Sequence, residues 1–288
     1  MTSEVRPVSS VRIIALTSVA MIAFAGNSLL CRVALRETDI DAASFTSIRL
    51  IAGALTLWLL VQLRNGKAAG QGNWLSALAL FAYAAAFSFA YLGLSAAMGA
   101  LLLFGAVQAT MISHGLITGE RMRLLQWVGF ALAFAGLVGL LLPGLTAPPL
   151  LSSVLMLSAG VAWGVYSLRG KGAGDPTRVT AGNFARALPF TLVLSVLMAG
   201  HVSFDPVGAG YAIASGAVAS GMGYAVWYMA LPLLKATSAA TIQLSVPVLA
   251  AVGGVVLLSE PLSWRLVIAA VAILGGIALV IYEKQRTA

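Results

Sequence analysis

The chain has 288 residues, of which 60% are apolar and only 9% charged, and its mean hydropathy is +0.97. A soluble domain carries roughly 25% charged residues, so soluble enzymes, coiled coils and disordered chains are excluded and a polytopic membrane protein is expected. The net charge of +8 is spread singly between apolar runs, without a basic stripe or cluster, which argues against a nucleic-acid partner and for loop charge that sets topology.

The first apolar run covers residues 13–34 and follows Arg6 and Arg12. It could pass for a signal peptide, but it has no convincing cleavage context and more spans follow, so it reads as a first spanning helix. A helix needs about 20 mostly apolar residues to cross about 30 Å of hydrocarbon. Nine further runs meet that test, at 43–63, 74–93, 97–117, 124–142, 150–168, 179–199, 208–230, 237–258 and 264–282. All are continuously apolar rather than alternating, which disfavours a β-barrel. Short punctuation separates them, such as Pro143–Gly144, Asp205–Pro206 and Ser259–Glu260–Pro261. Cys31 is the single cysteine, and His114 and His201 are the only histidines. Neither a disulfide framework nor a thiolate or histidine-rich metal site can be built from these, and no cofactor is expected.

With a cytoplasmic N-terminus, the inner segments hold 12 lysines and arginines and the outer ones only Arg32, Arg36 and Arg265. That bias predicts both termini inside. An internal repeat is also visible. Tyr91-Leu-Gly-Leu94 recurs as Tyr228-Met-Ala-Leu231 at an offset of 137, and Arg49 matches Arg186 at the same offset. Gly119-Glu120 matches Ser259-Glu260, and Gly136 matches Gly276, both 140 apart. Five helices per copy is an odd number, so the second copy enters the membrane from the opposite side. Inverted halves of this kind are a common plan of secondary transporters. The expected organisation is an N-terminal tail (1–12), a first repeat (13–142), a linker (143–149), a second, inverted repeat (150–282) and a C-terminal tail (283–288), both tails cytoplasmic.

These marks resemble the drug/metabolite transporter superfamily in its ten-helix EamA branch. The resemblance is carried by Ala162-Trp163-Gly164, by Arg49 and Arg186 early in the second helix of each half, and by Pro247 with Glu260 around the end of span 9. It extends over about residues 12–283 and, within that branch, looks most like the YddG-type exporters of aromatic amino acids and related metabolites. It implies a fold of ten helices in two inverted repeats and outward movement of amino acids, chiefly aromatic or apolar ones. The chain departs from a symmetric pattern in two places. Val107 stands opposite Pro247, and Gly26-Asn27 stands opposite Trp163-Gly164.

Ionisable groups within spans are few: Arg49, Arg186 and His114, with Arg32 at a helix end. No carboxylate lies deep in a span, whereas ion-coupled carriers often embed one. Facilitated diffusion is therefore expected, with His114 the sole alternative proton carrier. Arg49 and Arg186 could each clamp a helix terminus or a substrate carboxylate; their symmetric placement favours a structural role, by snorkelling or carbonyl bonding. Neutral groups are the expected solute contacts: Asn27, Gln108, Thr241, Gln243 and Ser245, together with the aromatic residues Tyr83, Trp163, Tyr166, Tyr224 and Trp227. Pro247 lacks the N–H that the Gln243 carbonyl would otherwise accept, which predicts a free oxygen at mid-depth. Arg49, Arg186, Pro247, Glu120 and Glu260 form the expected structural or gating set. Trp58, Trp74, Trp127 and Trp264 read as interface-belt residues.

The expectation is an all-α inner-membrane transporter, monomeric, surrounded by lipid, with a small-molecule solute and a cavity lined by spans 1, 3, 4, 6, 8 and 9. Exporters of drugs or toxic cations and proton-coupled metabolite transporters are the alternatives. A membrane enzyme lacks an embedded nucleophile–base pair or acidic pair to work with.

Overall fold

In a computed structural model, residues 10–64, 71–119, 121–142, 147–170, 175–234 and 242–286 are described, and every regular element among them is helical. Seven elements follow in order: α1 (Ser10–Glu37), α2 (Ala42–Leu63), α3 (Trp74–Ala90), α4 (Ala96–Ile117), α5 (Leu124–Leu141), α6 (Leu150–Gly170) and α7 (Pro176–Leu197). The eighth apolar run comes in three pieces: α8 (Pro206–Ala214), a π-helical stretch Ser215–Met222, and α9 (Gly223–Ala230). Then follow α10 (Ser245–Leu258) and α11 (Trp264–Arg286). Among the described residues, seven helices are long and apolar enough to cross a membrane, while α3 and α10 are apolar but shorter.

The helix ends follow from local chemistry. Asp41, Asn73, Ser95, Asp175 and Asp205 each place a side-chain oxygen on a backbone N–H of the next first turn. Such N-caps satisfy donors that have no partner inside the helix. Pro176 and Pro206 follow their caps, where a missing N–H is harmless. Gly119 ends α4 at φ +96°, a left-handed turn that glycine adopts without a steric penalty. Helix α1 runs past the predicted end at residue 34, because Arg32 and Arg36 stay helical while their heads reach the carbonyls of Tyr91 and Leu258. Helix α11 likewise continues beyond residue 282 to Arg286.

Asp41 does more than cap α2. Its carboxylate accepts from Ala43 N and Ser44 N at 2.9 Å and from Ser203 N at 3.0 Å, tying the α1–α2 corner to the segment before α8. Partial burial works to raise its pKa, but these hydrogen bonds outweigh burial and hold it below the usual carboxylate value. A lowered folded pKa gives stability that is present above the unfolded pKa and lost as pH falls through the folded one. Asp41→Ala is expected to destabilise by about 1 kcal/mol at neutral pH. Thermal unfolding in detergent should show that gap closing below about pH 4.

Helices α1–α4, α6, α7, the segmented eighth run and α10 pack around one centre. Helices α5 and α11 pack on each other and touch the rest mainly through α4. Glycines allow the close crossings. A Cβ on Gly129 would lie 2.6 Å from the Gly276 carbonyl, joining α5 to α11, and one on Gly53 would lie 2.5 Å from the Phe184 ring, joining α2 to α7. Packing through small residues suits a medium in which apolar side chains gain nothing by leaving lipid. Trp58, Trp74, Trp127 and Trp264 are all exposed, as are large apolar residues such as Leu55, Phe134 and Val256. The outer faces therefore suit lipid, and the centre holds the polar groups.

Candidate functional site

At that centre lies a small cavity of about 20 Å³, lined by Phe24, Asn27 and Ser28 of α1, Tyr83 and Phe87 of α3, Leu103 and Phe104 of α4, Trp163 of α6, Ala219 of the π-helical stretch and Tyr224 of α9. Trp163 is the hub of its aromatic wall. Its ring centroid lies 4.9 Å from Tyr83, 5.0 Å from Tyr224 and 5.5 Å from Tyr166. Phe24 meets Tyr224 edge-on at 5.8 Å and Trp227 at 6.0 Å. Such offset and edge-on contacts are the favoured geometry for aromatic pairs.

The polar wall centres on Asn27 and Tyr83. Asn27 Nδ2 donates to the Tyr83 hydroxyl at 3.2 Å, and Asn27 Oδ1 accepts from Ser215 Oγ at 2.7 Å. Arg49 Nη2 also donates to the Tyr83 hydroxyl, at 3.0 Å, and Arg49 Nε reaches Ser220 Oγ at 3.4 Å. Ser215 and Ser220 both belong to the π-helical stretch. A π-helix adds a residue per turn and so rotates side chains relative to an α-helix. Here that register lets one stretch face both Asn27 and Arg49.

The two related arginines are held differently. Arg186 is half-buried and gives Nη1 to the carbonyls of Gln71, at 2.6 Å, and Gly182, at 3.0 Å. It therefore anchors the segment before α3 onto α7. Next to it Asn183 accepts from Asn73 N at 2.9 Å, and its Nδ2 lies 3.5 Å from the Tyr166 hydroxyl. Arg49 is 1% exposed, and among the described residues its Nη1 has no hydrogen-bond partner. Its guanidinium carbon lies 5.2 Å from the Tyr83 ring centroid and 4.9 Å from that of Phe87.

At the end where α1 and α10 finish, Arg32 Nε pairs with Glu260 Oε1 at 3.0 Å, and Glu260 Oε2 accepts from Ala96 N at 2.8 Å. Arg32 Nη1 donates to the Tyr91 carbonyl at 2.8 Å. One ion pair thus clasps α1, the α3–α4 corner and the segment after α10.

Of the residues expected from sequence, Asn27, Tyr83, Trp163 and Tyr224 line the cavity, and Tyr166 and Trp227 stand directly behind it. Gln108 is buried but lies beyond the lining, with its Nε2 unpartnered. Ser245 is exposed and bonds back to the Ile242 carbonyl at 2.7 Å; Gln243 is half-buried and also off the lining. Pro247 falls in the first turn of α10 rather than mid-helix, where N–H groups lack helical partners in any case. Glu120 and Thr241 lie outside the described residues. Phe24, Ser215, Ser220 and Arg32 were not singled out as site or clasp residues from the sequence. Ser215 and Ser220 carry only a faint signal there, as two hydroxyls in a small-residue run.

Among the described residues no three His, Cys, Asp or Glu side chains gather as a metal site. An apolar-faced helical bundle around a buried polar and aromatic cavity defines a multi-pass membrane protein that handles a small solute. The chain belongs to the EamA-like transporter family, which it matches twice, over residues 11–142 and 150–282. It is a transporter rather than an enzyme. It is 56% identical to an uncharacterized protein of Pseudomonas aeruginosa over 274 residues, 95% of this chain and 96% of that one. An uncharacterized transporter of Archaeoglobus fulgidus is 26% identical over 94% of this chain and 98% of its own. The threonine/homoserine exporter RhtA of Salmonella typhimurium is 32% identical over 134 residues, 44% of each chain. A solved crystal structure shares the fold, with a TM-score of 0.69 over 97% of this chain and 99% of its own at 18% identity.

Proposed function

We propose that the protein is an inner-membrane secondary transporter that exports amino acids and related small metabolites by alternating access, without ion coupling. The observation that carries this reading is the central cavity, lined by the polar groups of Asn27 and Tyr83 and by the rings of Trp163 and Tyr224. Amide and hydroxyl groups suit the polar head of an amino acid, and the rings suit an aromatic or apolar side chain. The partial similarity to RhtA, a threonine/homoserine exporter, supports amino acids as the solute class. Both termini are taken as cytoplasmic, and the two halves as inverted repeats that rock about the cavity. Among the described residues the lining holds no carboxylate, which speaks against a cation exporter and against a coupling proton site. The test is counterflow in proteoliposomes with labelled phenylalanine, leucine and threonine. Saturable exchange should persist with a protonophore present and should be unchanged by His114→Ala. Exchange of none of these solutes would overturn the substrate class. Accumulation that needs a proton gradient and vanishes in His114→Ala would overturn the uncoupled mechanism.

A further inference from the structure

Arg49 carries a buried positive charge that its surroundings do not neutralise. Its two hydrogen-bond partners, Tyr83 and Ser220, are uncharged, and among the described residues it forms no ion pair. The faces of Tyr83 and Phe87 give it cation–π contact, yet Nη1 remains without an acceptor. An uncompensated charge at this depth is costly, and a long apolar residue would fill the same volume without that cost. Arg186 shows what a purely architectural arginine looks like in this fold. It is satisfied by two backbone carbonyls, that of Gln71 before α3 and that of Gly182 one turn back on its own helix. Arg49 instead stands immediately behind the cavity wall. Both rings it touches, Tyr83 and Phe87, line the cavity, and Asn27, which shares the Tyr83 hydroxyl, lines it too.

We propose that Arg49 is the receptor for a carboxylate on the transported solute. A guanidinium presents a planar fork of donors that matches a carboxylate's two oxygens, and Nη1 is the free tine. The rings of Tyr83 and Phe87 stand between it and the cavity and swing aside when the carboxylate docks. The solute anion then supplies the missing counter-charge, and its remaining groups lie against Trp163 and Tyr224. The inference deepens the amino-acid reading and rests on it for the identity of the solute, but the anion chemistry can be tested separately.

The test uses the purified full-length protein in detergent, with thermal unfolding read against two probe pairs. These are phenylalanine with phenylalaninamide, and phenylacetate with phenylacetamide. Each carboxylate should stabilise the wild-type protein at a concentration at least tenfold lower than its amide. Arg49→Met should abolish that preference while melting no lower than wild type, since it removes an uncompensated charge and keeps the length. Arg49→Lys keeps the charge but loses the fork, and should weaken the carboxylate response about tenfold. Wild-type protein that responds equally to acid and amide in both pairs would overturn the proposal. So would a folded Arg49→Met that keeps the preference. Should Arg49→Met fail to fold, an unchanged preference in Arg49→Lys would overturn it. Phenylacetate preference without amino-acid counterflow would sink the amino-acid reading and leave the anion receptor standing. Counterflow that does not distinguish phenylalanine from its amide would do the reverse.

Discussion

Glu260→Ala is expected to lower stability by about 3 kcal/mol, as breaking a buried ion pair from one side does. The carboxylate is 5% exposed and Arg32 is 16% exposed, so solvent cannot replace what is lost. Two interactions go at once: the bond from Arg32 and the bond from Ala96 N at the start of α4. The second also loses a negative charge at a helix N-terminus, where the helix dipole favours one. Glu260→Gln keeps an oxygen for Ala96 N and should lose less. Arg32→Met combined with Glu260→Gln should recover part of the deficit, because no unpaired charge remains. Thermal unfolding of the purified variants in one detergent checks the order. A Glu260→Ala protein as stable as wild type would show that the clasp contributes nothing.

The ten apolar runs were legible because hydrocarbon thickness imposes a length on any spanning helix. The runs predicted at 43–63, 97–117 and 124–142 differ from α2, α4 and α5 by one residue at an end. What the runs do not encode is a change of helical pitch. Residues 215–222 read as an ordinary small-residue stretch, and their π-helical register places Ser215 on Asn27 and Ser220 on Arg49. The ninth run reads as one span from residue 237; residues 242–243 are helical, a turn falls at Leu244, and α10 starts at Ser245 with Pro247 in its first turn. An apolar count cannot register a turn at that point.

The site was legible by residue type and illegible by partnership. Asn27, Tyr83, Trp163 and Tyr224 stood out as polar or ring-bearing groups in hydrocarbon, each needing a partner. That Asn27 would pair with Ser215, 188 residues away, depends on helix packing that no local pattern records. The two arginines make the point most sharply. Equal placement in the repeats suggested equal roles, yet Arg186 meets carbonyls and Arg49 meets hydroxyls and ring faces. Repeat symmetry predicts position along a helix. It does not predict what the other half brings against that position.

Trp163→Ala is expected to change transport more than it changes the fold. The ring is half-buried and touches Tyr83 and Tyr224 on the cavity lining and Tyr166 behind it. Each contact is worth about 0.5–1.5 kcal/mol, but part of the ring already faces open space, so the net destabilisation should be about 2 kcal/mol. The solute loses its broadest apolar surface. For a ring-bearing amino acid that should raise the half-saturation concentration roughly tenfold, equivalent to about 1.4 kcal/mol of binding. Threonine, with little apolar surface to stack, should be affected much less, so the ratio between the two solutes is the decisive readout. Trp163→Phe should restore most of the ring-solute affinity, since it returns a stacking face to the same wall. A Trp163→Ala protein that exchanges phenylalanine and threonine with wild-type kinetics would remove Trp163 from the solute path and leave only its packing against the three tyrosines.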